Sequence, residues 1–171
     1  MYGTIKESPI NLEITQKLKK ELENIGAIVY MTREGEYDLS NPETYNRKND
    51  DLQNRVNLIN QDFVDMYLSI HLNADTSNTW HGAQVFYDDV NKNNKKLAMV
   101  MQKAFKTNLK SNRKEKQIST YYMYRRINKV PGLLLEVGFL TNANERYLLK
   151  TDNYQLKICN AIKQGIINYY K

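Results

Sequence analysis

The chain has 171 residues, 41% of them hydrophobic and 26% charged, with 25 Lys and Arg against 19 Asp and Glu. That length makes one ordinary domain, residues 1–171, able to fold on a buried core, and the single cysteine, Cys159, rules out an intrachain disulfide. No run of about 18 apolar residues marks a transmembrane segment, 13 tyrosines and ample hydrophobic content argue against disorder, and the opening Met-Tyr-Gly-Thr-Ile-Lys-Glu lacks the apolar core of a signal peptide.

In chain order, Ser8-Pro9 reads as a helix start, with serine as N-cap and proline at the first helical position. Ile10, Ile14, Leu18, Leu22 and Ile25 follow at helical spacing, and Gly26 supplies a left-handed stop. The apolar, β-branched run Ala27–Thr32 predicts a buried strand, and the polar stretch 34–49 a long loop. Asp50 or Asp51 is placed to cap a second helix carrying Leu52, Val56 and Ile59. From Val64 to His71 apolar residues alternate with Asp65, Tyr67, Ser69 and His71, a strand with two differently used faces. Residues 82–87 read as a strand and 91–109 as a helix with Leu97, Met101, Ala104 and Phe105 inward.

The charge is uneven along the chain. Residues 1–75 hold 8 basic and 13 acidic side chains, whereas 92–129 holds 12 basic residues and one acid, Glu115. The net +6 is therefore one basic stretch on a mildly acidic domain. Within that stretch, 111–130 predicts loop and short strand. Leu133–Val137 predicts a fully buried strand interrupted by Glu136, Thr141 caps a short helix to Leu149, and 153–170 forms a last helix with Leu156, Cys159, Ile162 and Ile166 on one face. Alternating helices and strands imply a single α/β domain, with helices on both faces of a mixed, largely parallel sheet.

Three residues draw chemical interest. Glu136 is a carboxylate inside Leu133-Leu134-Leu135-Glu136-Val137-Gly138-Phe139, either a strand-end acid reaching solvent or a general acid/base with a pKa raised by burial. His71 ends the strand Tyr67–Ala74, where open α/β sheets bind ligands. Glu7 precedes the first helix, a place the helix dipole favours for an acid, and gains interest only together with His71. His81, beside Trp80, reads as a surface or groove residue, and Cys159 as core. Phosphate loops and nucleophile elbows are absent. Tyr121-Tyr122-Met123-Tyr124-Arg125-Arg126 fits a nucleic-acid platform or a carbohydrate- or peptide-lined groove, and without a nucleic-acid fold signature no nucleic-acid partner is expected.

Four stretches carry a family resemblance over nearly the whole chain. They are Glu7 with Ile10-Asn11-Leu12; Gly26 through Met31-Thr32-Arg33; Leu52-Gln53-Asn54-Arg55 leading into Ser69-Ile70-His71-Leu72-Asn73-Ala74; and Leu135-Glu136-Val137-Gly138-Phe139-Leu140-Thr141-Asn142. Together they resemble the zinc-dependent N-acetylmuramoyl-L-alanine amidases of the amidase-3 family. The resemblance extends to the family's germination-specific, spore-cortex branch through Asp51–Val56, Gly82–Tyr87 and Asn112-Arg113-Lys114. It implies a peptidoglycan hydrolase that cuts between the lactyl group of N-acetylmuramic acid and L-alanine of the stem peptide. It also implies a Zn2+ cofactor with Glu7 and His71 as ligands, Glu136 as the catalytic proton carrier, and work outside the cytoplasm in cell wall or forespore cortex. The family's first ligand is a histidine in an Asp-Pro-Gly-His-Gly-Gly turn after its first strand, and the residues here start beyond both. The expectation is a chain whose start lies late relative to the family. The alternative is a non-catalytic peptidoglycan-binding relative that has lost the complete zinc site.

Overall fold

A computed structural model of the protein describes residues 6–171. Its element order is α1 (Glu7–Glu23), α2 (Arg47–Ile59), β1 (Tyr67–Asn73), β2 (Gln84–Tyr87), α3 (Asn94–Leu109), β3 (Lys116–Gln117), β4 (Gly132–Phe139), α4 (Ala143–Leu148) and α5 (Asp152–Tyr170). A 3-10 turn, Tyr124–Arg126, precedes β4. The strands form one sheet in the order β1-β4-β2-β3, parallel between β1 and β4 and between β2 and β3, antiparallel between β2 and β4. The mixed α/β architecture is thus as the element pattern implies.

Strand alternation divides the core in two. Ile70, Leu72, Val85, Leu133, Leu135 and Val137 point to the face covered by α1, α3 and α5, where they meet Ile14, Leu18, Leu97, Met101, Phe105, Ile158 and Ile162. Tyr67 and Leu134 point to the other face and pack under Val56 and Ile59 of α2 and Met123, Tyr124, Ile127 and Val130. β4 runs through the centre and is buried at every position except the half-buried Glu136. Buried amides tie strands to helices: the Val85 N–H donates to Gln102 Oε1 at 2.8 Å, and the Gly132 N–H to Asn94 Oδ1 at 2.8 Å. Among the described residues, no helix is long and apolar enough to cross a membrane.

Several local expectations are corrected. Among the described residues, Ala27–Thr32 joins no sheet and is not a buried strand, with Ile28 82% exposed. β-branched composition favours extended backbone, but a strand exists only where a neighbour supplies hydrogen bonds. Ile25 lies beyond the end of α1 and is exposed, while Gly26 does take the positive φ of 92° that ends the helix. Ser8 sits inside α1 and its hydroxyl bonds Glu36 instead of capping. Asn46, not Asp50 or Asp51, caps α2; those two acids accept the N–H groups of Asn41 and Leu39 in the preceding loop. Asn142, not Thr141, caps α4. Leu156 faces outward on α5.

Candidate active site

The site is assembled at the C-terminal ends of β1 and β4. His71 of β1 and Glu136 of β4 are direct register partners, and Gln84 of β2 lies opposite Glu136 on its other side. Side chains at one register level share a face, so Gln84, Glu136 and His71 stand in a row. Just beyond His71 the register slips, Asn73 pairing with Phe139. Such an irregularity bends the strand and re-aims side chains at its rim.

Glu7, in the first turn of α1, closes this row from the β1 side. Its Oε1 accepts from Asn11 Nδ2 at 2.9 Å and from the Leu72 N–H at 3.0 Å, and it lies 3.0 Å from His71 Nδ1. The spacing of Glu7 and Asn11, one helical turn apart, places the amide directly over the carboxylate. On its other edge the imidazole meets Ser69 Oγ, with Nε2 at 3.1 Å, and Ser69 Oγ in turn accepts from the Tyr124 hydroxyl at 3.1 Å. His71 is thereby fixed at both nitrogens.

The two carboxyls are pushed in opposite directions. Burial acts to raise the pKa of Glu7, but the hydrogen bonds from His71, the Leu72 N–H and Asn11, together with the charge of His71, outweigh it and hold the pKa at about 2. Burial dominates at Glu136 and lifts it to about 7, with the nearby His71 opposing and the negative charge of Glu7 adding to the rise. One oxygen of Glu136, Oε2, is buried with no hydrogen-bond partner among the described residues. An acid near neutrality with an unsatisfied oxygen is suited to take up and return a proton.

Glu7 Oε1 and His71 Nδ1 are also spaced for one ion. Donor atoms at about 2.0–2.1 Å from a tetrahedral metal lie roughly 3.3 Å from each other, close to the separation seen here. Among the described residues, no group of three His, Cys, Asp or Glu side chains is arranged to hold a metal. The pair therefore fits as two ligands of a set that usually numbers three.

A buried acid links two backbone segments next to this row. Glu145, three residues after the Asn142 cap of α4, accepts the Gly82 N–H at 2.9 Å through Oε1 and the Phe139 N–H at 2.8 Å through Oε2. It ties the loop before β2 to the end of β4. Gly82 has φ +92°, and a Cβ there would lie 3.1 Å from Ser111 Oγ, so this close approach requires glycine. Across the approach lies Arg113, whose Nε donates to the His81 carbonyl at 2.9 Å and whose Nη1 donates to Gln84 Oε1 at 3.3 Å.

All three residues expected to carry chemistry, Glu7, His71 and Glu136, thus come together. His81 stays in an exposed loop with Nδ1 at 3.0 Å from the Thr79 carbonyl. Cys159 is fully buried, and burial lifts its thiol to about 11. Within Tyr121–Arg126, Met123 and Tyr124 belong to the smaller core, and Arg126 lies over the ring of Tyr122 at 3.6 Å. Sequence reading missed Ser69 and Glu145 as site residues. Ser69 carried a usable signal, two positions before His71 on the same strand face, and so did Glu145, as the third residue after an Asn cap.

Residues 1–168 match the Amidase_3 family model, described as N-acetylmuramoyl-L-alanine amidase. The germination-specific N-acetylmuramoyl-L-alanine amidase of Bacillus subtilis (strain 168) is 40% identical over 172 residues, which take in 98% of this chain and 72% of that protein. Among solved structures, the CwlD amidase from Clostridioides difficile, in complex with the GerS lipoprotein, superposes with a TM-score of 0.91 at 36% identity, covering 98% of this chain and 87% of that one. An N-acetylmuramoyl-L-alanine amidase from Clostridium difficile 630 gives a TM-score of 0.83 at 26% identity, over 98% and 86% of the two chains.

Proposed function

The chain belongs to the N-acetylmuramoyl-L-alanine amidase family, and from that premise we propose that it hydrolyses the amide joining the lactyl group of N-acetylmuramic acid to L-alanine of the stem peptide. The setting proposed is the spore cortex, outside the cytoplasm, in line with the germination-specific relative. The observation that carries the reading is the convergence of Glu7, His71 and Glu136 at the ends of β1 and β4, with Glu136 held near neutrality.

Glu7 and His71 are the residues that would hold zinc. When bound, zinc supplies polarisation of the scissile carbonyl and a lowered pKa for water. Everything else falls to the chain. Ser69 and Tyr124 fix the imidazole plane through Nε2, leaving Nδ1 directed at Glu7. Glu136 takes a proton from the attacking water as the new C–O bond forms. It returns that proton to the alanine nitrogen as the C–N bond breaks. A carboxyl with a pKa of about 7 serves both halves of that transfer at neutral pH.

The test measures zinc content and the release of new N-terminal alanine from purified peptidoglycan. Glu136→Gln is expected to keep its zinc and lose activity by about 10²–10⁴-fold. Full activity in that variant would remove Glu136 from its role. A second reading, a protein that binds peptidoglycan without cutting it, is favoured by the presence of two rather than three metal donors among the described residues. It predicts sedimentation with peptidoglycan, no zinc and no released alanine.

A further inference from the structure

Resting on the hydrolase reading, we propose that Arg113 recognises a free carboxylate on the peptide part of the substrate, and so sets which stem peptides the site accepts. The guanidinium lies against two rings, with its carbon 4.7 Å from the Trp80 centroid and 4.6 Å from that of Phe139. Nε and Nη1 are committed to the His81 carbonyl and Gln84 Oε1. Nη2 makes no hydrogen bond, and no acid forms an ion pair with Arg113, among the described residues. A planar cation packed against two rings and held at two of its nitrogens presents its remaining N–H groups in a fixed direction.

The seat is built for that one side chain. The Arg113 N–H donates to Ser111 Oγ at 3.2 Å, and the Ser111 hydroxyl donates to the Ala83 carbonyl at 2.6 Å. Gly82, which Glu145 clamps, passes 3.6 Å from Arg113 Cγ when a Cβ is placed on it. The same glutamate holds the backbone N–H of Phe139, whose ring is one of the two. The seat also adjoins the chemistry: Gln84, which receives Nη1, is the register neighbour of Glu136, about 5 Å away across the sheet. A half-buried, rigid and unpaired guanidinium matches the bidentate geometry of a carboxylate, the anion that peptides carry. The lysines of the same basic stretch, such as Lys106 and Lys110, are exposed on α3 and its end and supply diffuse charge without such a seat.

The experiment compares two muramyl peptides, one ending in a free carboxylate and the other in the carboxamide, with wild type, Arg113→Gln and Arg113→Lys. Wild type is expected to favour the acid by about 10- to 100-fold in kcat/KM, the range of a charge-assisted hydrogen-bonded pair. Arg113→Gln is expected to raise KM for the acid to that for the amide, with kcat within about twofold. Arg113→Lys, which keeps the charge but loses the fork, is expected to fall between them. Equal cleavage of both peptides by wild type, or an equal loss on both in Arg113→Gln, overturns the proposal while leaving the hydrolase reading intact. Calorimetric titration with the matching L-alanyl acid and amide peptides needs no cleavage. Arg113-dependent preference for the acid there, with no turnover by wild type, supports carboxylate recognition and overturns the hydrolase reading.

Discussion

Replacing Glu136 by Gln tests the electrostatics of the site independently of catalysis. The folded pKa of about 7 lies above the ordinary value of 4.5, so between those pH values the folded chain holds a proton that the unfolded chain has released. Stability contributed by this group is therefore fully present below pH 4.5 and is lost as pH rises through about 7. The gap corresponds to about 3 kcal/mol over the full window. Glu7 has the opposite sign: its contribution is present above pH 4.5 and fades only as pH falls toward 2. A comparison of wild type and variant from pH 5 to pH 8 thus leaves out Glu7, and groups common to both proteins cancel in the difference. Urea unfolding of the chelator-treated protein is expected to show wild type losing about 2–3 kcal/mol relative to Glu136→Gln across that range. The amide leaves the shape of the site nearly unchanged, so any pH-independent offset cancels in the difference. A wild-type-minus-variant stability that is the same at both pH values would refute the claim that the folded chain holds this carboxyl well above its ordinary pKa.

Glu145→Ala strands the N–H groups of Gly82 and Phe139 and should cost about 2–4 kcal/mol in urea unfolding, a large effect for a residue outside the catalytic row. Gly132→Ala places a Cβ 2.0 Å from Cε1 of Tyr67, whose ring is buried and stacked on Tyr124, so the melting temperature should fall by at least about 5 °C. Ser69→Ala removes the partner of His71 Nε2 and should weaken zinc binding about 10- to 100-fold, read by competition with a chelating dye.

What sequence could convey divides along a physical line. Glu136 and His71 stood out as candidates because each sits in a strand of apolar neighbours, and the family likeness alone gave them roles. Glu7 drew interest only in company with His71, since an acid at a helix start is ordinary by itself. Ala27–Thr32 misled because strand propensity describes a residue's fit to a sheet, and pairing partners lie outside any local window. The Asn142 cap and its Glu145 had a recognisable spacing, yet nothing local says that the glutamate turns away from its own helix to hold two backbone amides from elsewhere. Arg113 lay in a basic run whose charge hid its geometry; only the folded chain separates one guanidinium packed against two rings from surrounding solvated lysines.

Among the described residues, β1 lies at one end of the sheet, and its pairing with β4 uses one side of the strand. An unpaired strand side is a template on which another chain can grow. Here the amide of Leu72, next to His71, is already taken by the carboxylate of Glu7. A strand zipping along β1 toward the site would have to pull that carboxylate off before it could finish. Pairing of another strand along this edge and separation of Glu7 from the Leu72 amide would therefore be one event.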